Sequence, residues 1–266
     1  MTGRLNVFQR TMLLWNDLHP YNAIHTVDVP GELDLLRLGN IVNDTLESLG
    51  LTGLTLDRDS ATYRYEGGPA AAQVDTVIHD GDAEAALMGE IHRQLNTAFT
   101  PDGCATPFRF YVIDKNDSFY FGVSYFHLVA GAESIVLLMH DLVNAYLGLS
   151  ARKLSAQVQR YPATYGPWLR RHPMVLLRKL ANLPALYWNL EHTWRPRYKD
   201  EKDTNNGYNF FSLTPPQLES LKSAGKSWGV TLNDLFLAIM FRIFIPLTEH
   251  RALSSRRNRL SIGTIV

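Results

Sequence analysis

Hydrophobic residues follow two different spacings along the first 150 residues of the chain. Apolar residues three and four positions apart indicate a helix that buries one face, and short runs rich in β-branched and aromatic residues indicate strands. By these criteria we predict helices over residues 4–18, 34–49 and 82–95, and strands over residues 21–29, 54–56, 62–65 and 73–78.

The strongest local pattern is a β-hairpin that ends in a histidine. Residues 108–113 and 119–126 are two runs of aromatic and β-branched residues, and the polar residues 114–118 between them fit a hairpin loop. His127 follows the second run, and then come a turn of small residues and an apolar helical pattern, for which Ser134 is the expected N-cap. Because active-site side chains often lie where a strand gives way to a loop, His127 is a candidate functional residue.

The rest of the chain is first interrupted by prolines and then returns to regular patterns. Five prolines between residues 161 and 197 restrict any helices there to short ones. Thr214 followed by Pro215 is typical of a helix start with threonine as N-cap. The pattern predicts a strand over residues 208–213, helices over residues 215–225 and 231–247, and a strand over residues 260–266.

The composition is that of an ordinary globular protein, with 45% hydrophobic and 20% charged residues. The single cysteine, Cys104, excludes an intramolecular disulfide. The N-terminus has no apolar core like that of a signal peptide, and no apolar stretch approaches the roughly 20 residues of a membrane span. These features lead us to expect a cytoplasmic protein.

The net charge of zero hides a strong asymmetry. Residues 1–150 carry 8 Lys and Arg against 19 Asp and Glu, whereas residues 151–199 carry 10 against 1. Four cations of this basic segment lie beside Trp and Leu residues: Arg170, Arg171, Arg178 and Lys179. Three interpretations are open: a crossover whose arginines pair with the acidic first half, a site for the phosphates of CoA or of a carrier protein's phosphopantetheine arm, and a helix on an anionic membrane. Because the whole chain is not basic, nucleic acid is not an expected partner.

A metal site is not expected, although one short string suggests it. His79, Asp80 and Asp82 place an imidazole and two carboxylates close together in sequence. However, the Asp-Gly pair that follows His79 is typical of a turn, and Asp82 fits the N-cap of the next predicted helix. The structural interpretation therefore explains these residues without a metal.

The hairpin and its histidine resemble a motif of the CoA-dependent acyltransferase superfamily, which includes chloramphenicol acetyltransferase, the condensation domains of peptide synthetases, and wax ester synthases. In that superfamily a strand ends in HHxxxDG, and a serine follows two residues later. On this sequence His127 corresponds to the second histidine, which is the catalytic one, and Ser134 to the serine. The match is degenerate, because Phe126, Gly131 and Ala132 stand at the other three positions.

Further motifs extend the resemblance along nearly the whole chain. Residues 7–15 are similar to the superfamily's N-terminal SxxQxxmw helix, residues 95–109 to its approach to the hairpin, and residues 227–238 to the gvTvNDvllAa helix that opens its second half. The resemblance implies a chloramphenicol acetyltransferase-like α/β fold, an α+β two-layer sandwich with helices on one face of a mixed, largely antiparallel sheet. It also implies that the second half is truncated in this chain.

We therefore predict three segments. Residues 1–150 form an N-terminal acyltransferase-like subdomain with the histidine motif, residues 151–206 a basic crossover interrupted by prolines, and residues 207–266 the start of the C-terminal subdomain. Since a longer second half follows in the superfamily, a chain that completes this half is one candidate partner.

The resemblance also implies a chemistry that needs no bound cofactor. A neutral imidazole at His127 would take a proton from an alcohol or amine as it attacks an acyl-CoA or phosphopantetheine thioester. Ser134 would stabilise the oxyanion, and Phe126 and Tyr125 would line an acyl tunnel. Gly131 weakens the support of the loop, because the superfamily's aspartate braces it.

Three hypotheses follow from this resemblance, of which the third is a stand-alone scaffold for a larger synthase. The first is an acyltransferase with His127 as general base, whose donor is acyl-CoA or an acyl-carrier protein contacted by the basic segment. The second is a catalytically degenerate relative that binds an acyl carrier, an acyl chain or, as a peripheral protein, a membrane surface.

Overall fold

Most of the predicted helices and strands form, in the predicted order. The computed structural model describes residues 2–100, 104–149, 164–194, 201–249 and 259–262. The helices are α1 Val7–Leu18, α2 Leu35–Ser48, α3 Ala83–Asn96, α4 Ala132–Tyr146, α5 Gly166–Arg171, α6 Pro173–Ala181, α7 Leu183–His192, α8 Pro215–Trp228 and α9 Leu232–Glu249. The strands are β1 Thr2–Arg4, β2 Asn22–Pro30, β3 Leu54–Asp57, β4 Thr62–Tyr65, β5 Val74–Thr76, β6 Cys104–Ala105, β7 Phe108–Asp114 and β8 Ser118–Phe126.

The predicted hairpin is confirmed and lies in the middle of a mixed sheet of order β2-β8-β7-β5. β8 pairs antiparallel with both β7 and β2, and only β5 runs parallel to its neighbour β7. The turn is tighter than predicted, since Lys115 N donates to Ser118 O at 2.8 Å and Asn116 adopts a left-handed φ of 72°. Asparagine tolerates that conformation better than most residues, which explains its place in the loop.

One face of this sheet is buried against α2 and α4. Alternate residues of β7 and β8 point to it, as strand geometry requires. Each side chain that becomes fully buried there contributes about 1.5–3 kcal/mol of hydrophobic stabilisation. The buried side chains of this first core are Val29, Leu38, Val42, Leu46, Phe108, Phe110, Val112, Phe119, Phe121, Val123, Tyr125, Ile135, Leu138, Met139, Leu142 and Tyr146.

The opposite face of the sheet is covered by α3, so helices lie on both faces and not on one face as predicted. Asn22 Nδ2 donates to the Gln94 carbonyl at 2.8 Å, and the Tyr120 hydroxyl donates to Glu84 at 3.3 Å. Tyr111 also points to this side and is fully buried. The reason is that β7 also presents Tyr111 and Ile113 on this face, and removing these apolar side chains from water is favourable.

A second sheet of order β1-β4-β3-β6 lies beside α1 and the end of β8. The sequence pattern missed β1 and β6, because strands of three and two residues are too short to show alternation. The second core that joins this sheet to α1 consists of Leu5, Leu13, Phe99, Phe126 and Leu128.

The backbone contacts divide the chain into two units, one of residues 1–164 and 201–208 and one of residues 165–200 and 209–266. In the second unit, the short helices α5 to α7 and the start of α8 after Thr214 are as predicted. The strand predicted over residues 208–213 is wrong, because these residues have no strand partner. Of residues 260–266, the described residues 260–262 form no strand and the others lie outside the described part.

No single described helix has the length and apolar composition of a membrane span. α8 and α9 have the length and apolar composition of a membrane span only when they are taken together, and the pair is bent by 97°.

Candidate active site

His127 lies one residue after β8, in the turn that leads to α4. Its backbone N–H donates to the Tyr21 carbonyl at 3.3 Å, and its Nδ1 lies 3.1 Å from the carbonyl oxygen of Ala130. A carbonyl oxygen can only accept, so this contact assigns the proton of the neutral ring to Nδ1. Nε2 then carries the lone pair and can accept a proton.

Two tyrosine rings flank the half-buried imidazole of His127. The Tyr21 ring stacks on it with centroids 5.6 Å apart and an interplanar angle of 26°. The Tyr125 ring lies 5.8 Å away at 57°. Both separations are within the range of favourable aromatic contacts. The ring is therefore fixed by one hydrogen bond, by Tyr125 of β8 and by Tyr21, the residue that precedes β2.

The turn after His127 is also held by α1. Gln9 is buried, and its Nε2 donates to the carbonyl of Leu128 at 3.1 Å. The same side chain closes a capping box with Asn6, which fixes its orientation at the start of α1. The sequence showed Gln9 within an N-terminal motif, but only the fold shows that it supports the histidine turn.

The structure corrects the prediction for the start of α4. The helix begins at Ala132 with Gly131 as N-cap, and no side chain caps it. Ser134 is thus the third helical residue, half-buried, and not the N-cap. Among the described residues, no hydrogen bond joins Ser134 to His127. The helix starts earlier because Ala132 and Glu133 already adopt helical geometry, and Glu133 places a favourable negative charge in the first turn.

Gly131 therefore occupies the position where aspartate or serine usually caps a helix. Its φ of −87° and ψ of 167° are extended values that any residue adopts. The backbone conformation therefore does not require a glycine and is compatible with the superfamily's aspartate. In its absence the first N–H groups of α4 have no side-chain cap.

The two predicted tunnel residues lie in different places. Tyr125 belongs to the first core, is 1% exposed, and contacts the ring of His127. Phe126 is 2% exposed and packs in the second core, where its ring stacks on Phe99 at 6.0 Å. Alternation along β8 sends these neighbours to opposite faces of the sheet. Tyr125 is thus brought to the site, and Phe126 is not.

A second histidine near the site was not predicted. His25 lies on β2, and its ring stacks on Tyr125 with centroids 5.7 Å apart at 24°. Burial lowers the pKa of His25, and the nearby His127 lowers it further. His25 is therefore held neutral where an exposed histidine would begin to take up a proton.

The four predicted basic residues lie in the second unit and are all exposed. Arg170 and Arg171 are in the last turn of α5, and Arg178 and Lys179 are in the last turn of α6. Cations at helix C-termini are stabilised by the helix dipole, so their placement alone does not require a ligand. No residue of α5, α6 or α7 is buried.

The string after His79 forms a turn and a helix cap, as predicted. Asp82 accepts a hydrogen bond from Ala85 N at 2.8 Å at the start of α3, and His79 Nε2 lies 2.7 Å from the Asp114 carbonyl. Within the described ranges, no group of three or more His, Cys, Asp or Glu side chains could hold a metal.

Comparison with known proteins gives matches only among solved structures. No sequence family matches the chain, and no curated protein matches it. The condensation domain from the monacolin K polyketide synthase MokA is similar with a TM-score of 0.54 and 15% identity, over 90% of this chain and 58% of its own. The tallysomycin biosynthesis protein TlmII is similar with a TM-score of 0.54 and 17% identity, over 70% of this chain and 49% of its own.

These similarities confirm the predicted fold. The chain has the chloramphenicol acetyltransferase-like fold of the condensation domain that it matches. It spans about half the length of the solved structures it matches.

Proposed function

We propose that this chain supplies the catalytic histidine of an acyltransferase, which moves an acyl group from a CoA or carrier-protein thioester to an alcohol or amine. The observation that supports this proposal is the orientation of His127. Its Nδ1 lies 3.1 Å from the Ala130 carbonyl, so that the neutral ring offers Nε2 as a proton acceptor at the end of a rigid strand. A condensation-domain fold with a base at this point is suited to acyl transfer.

In the proposed reaction, His127 Nε2 removes the proton of the acceptor hydroxyl or amine as its oxygen or nitrogen attacks the thioester carbonyl. The tetrahedral intermediate then collapses, the carbon–sulfur bond breaks, and His127 returns the proton to the leaving thiolate. One histidine can perform both transfers because it is base in the first step and acid in the second. No serine or cysteine nucleophile is needed.

The developing oxyanion needs a hydrogen-bond donor. We assign this role to Ser134 and to the first N–H groups of α4, which are uncapped by any side chain. The N-terminal end of a helix stabilises negative charge through its free N–H groups and its dipole. The glycine at position 131 leaves these groups open, whereas a capping side chain would occupy one of them.

We assign to Arg170, Arg171, Arg178 and Lys179 a role in binding the phosphates of the donor's CoA or phosphopantetheine. Their exposure and their clustering on two short helices support this assignment. Arg170→Glu with Arg171→Glu should raise the KM for acyl-CoA and leave kcat within about twofold. Binding of the unchanged chain to anionic vesicles, lost in the same variant, would instead favour a membrane surface.

The direct experiment measures thiol release from a panel of acyl-CoA and acyl-pantetheine donors, with and without alcohols and amines. His127→Ala should lower the rate by about 10²–10⁴-fold, the usual contribution of a general base. His92→Ala is the matched control, because His92 is an exposed histidine on α3. Circular dichroism and thermal melting should show that both variants are folded.

Release that persists in His127→Ala at the unchanged rate would refute the role of this histidine. If the unchanged, folded chain released no thiol with any donor, but bound an acyl-loaded carrier, the degenerate relative would replace the proposed acyltransferase.

A further inference from the structure

The imidazole of His127 lies within a continuous series of aromatic rings. Tyr21 stacks on one side of it, and Tyr125 contacts it on another. The far neighbour of Tyr125 is His25, whose ring is nearly parallel to that of Tyr125, with an angle of 24°. The Tyr125 ring thus contacts both His25 and His127.

The pairing of β2 with β8 brings the two histidines together, although 101 residues separate them in sequence. Ala23 is the partner of Tyr125, and His25 is the partner of Val123. His25 and Tyr125 therefore lie on the same face of the sheet, two positions apart on neighbouring strands. Such diagonal neighbours are within reach of aromatic side chains.

Packing on this face leaves Tyr125 little freedom to move. Its ring is 1% exposed, and the first core holds it from the side of α4. His25 covers the Tyr125 ring at the edge of the sheet, since β2 is an edge strand of the order β2-β8-β7-β5. Without the His25 ring, the Tyr125 ring and then the His127 ring could rotate into the space it leaves.

The charge state of His25 suits a packing role. Burial and the neighbouring His127 both disfavour its protonated form, and its Nδ1 is buried without a hydrogen-bond partner among the described residues. A neutral imidazole is a flat aromatic ring that stacks well on tyrosine.

We propose that His25 is a positioning residue, which acts through Tyr125 to keep the His127 imidazole in the orientation with Nδ1 toward Ala130. The expected effect of His25 on turnover rests on the proposed function. Its expected effect on the orientation of the His127 ring does not, because that orientation can be measured in the resting protein.

The test compares His25→Phe, which keeps a flat ring, with His25→Ala, which removes it. In acyl transfer, we expect His25→Ala to lower kcat by about tenfold with KM within about twofold, since a misplacement of about 1 Å can cost on the order of a hundredfold. His25→Phe should restore kcat to within about twofold of the unchanged protein. His92→Ala is again the control, and thermal melting reports whether each variant is folded.

The second readout is the ¹⁵N NMR spectrum of the His127 ring, recorded at a pH where the ring is neutral. The unchanged protein and His25→Phe should show the proton on Nδ1, and His25→Ala should show a mixture of both tautomers. Equal losses in His25→Phe and His25→Ala would mean that a ring nitrogen matters, and they would overturn the proposal. So would an unchanged tautomer in a folded His25→Ala variant. An unchanged protein with the Nδ1 tautomer but no turnover would refute the proposed function and leave the positioning role standing.

Discussion

Substitution of Gly122 by alanine tests the packing of the strand that carries His127. Gly122 lies in β8 between Thr26 of β2 and Tyr111 of β7. The Tyr111 ring lies directly over the glycine, so that an added Cβ would overlap it. The ring cannot move aside easily, because it is fully buried and its hydroxyl bonds to Thr26 at 2.8 Å.

The expected cost follows from these two features. Extra volume in a well-packed core costs about 1–3 kcal/mol, and a lost hydrogen bond costs about 0.5–1.5 kcal/mol. Gly122→Ala should therefore lower the free energy of unfolding by about 2–4 kcal/mol. Because β8 ends next to His127, the variant should also lose the turnover proposed above under conditions where it is partly unfolded.

Urea unfolding followed by circular dichroism measures this change. Gly89→Ala is the matched control, since a Cβ at Gly89 in α3 would meet nothing within 4 Å. There the same substitution should stabilise the protein by about 0.5–1 kcal/mol, because alanine is favoured inside helices. Replacing Tyr111 by Leu should relieve most of the cost of Gly122→Ala in a double-mutant cycle. A cost below about 0.5 kcal/mol, with no coupling to Tyr111, would refute the described contact between the two residues.

Three further predictions concern the turn and the surface. Gly131→Asp should raise the unfolding free energy by a few tenths to about 1 kcal/mol in thermal melting, because it caps α4. Gly131→Asn caps the helix without a charge, so it should give only the part of this gain that comes from the capping hydrogen bond. Gln9→Glu keeps the capping box but cannot donate to the Leu128 carbonyl, so urea unfolding should show a loss of about 1–3 kcal/mol, and an unchanged value would contradict the bond. The hydrogen bond from Arg58 lowers the pKa of Asp17, so its contribution is present above the unfolded pKa of about 3.9 and is lost as pH falls through the lower folded value. Asp17→Asn should therefore make the acid loss of stability below about pH 4 shallower, which acid titration by circular dichroism would show.

Local patterns were enough to predict the elements that bury one face or begin at a strong cap. The hairpin over residues 108–126 and the helices α2 and α8 are of this kind, because the side-chain period and the cap residues are local properties. The strands β1 and β6 exist only through their pairing with β4 and β3, and nothing in two or three residues signals that pairing.

Of the candidate site, the sequence predicted only the residues in and beside the histidine motif. His127 was found from its strand and its resemblance, but His25 carries no motif and reaches the site through the register of β2 with β8. An alternating strand places every second residue on one face, so the sequence could show that His25 has a preferred face. It could not show which strand lies beside it, because that is set by tertiary pairing.

The absence of an aspartate at position 131 has a smaller effect on the histidine turn in the structure than the sequence suggested. The sequence suggested that its loss would leave the histidine loop without support. In the structure the loop is held by Gln9 through the Leu128 carbonyl and by the bond from His127 N to the Tyr21 carbonyl. These contacts fix the backbone on both sides of His127 without a charged side chain. If they are sufficient, Gly131→Asp should raise stability without raising kcat, and kcat should fall because the capping carboxylate occupies N–H groups of α4 that we assign to the oxyanion. Gln9→Glu should lower kcat even where the protein is fully folded.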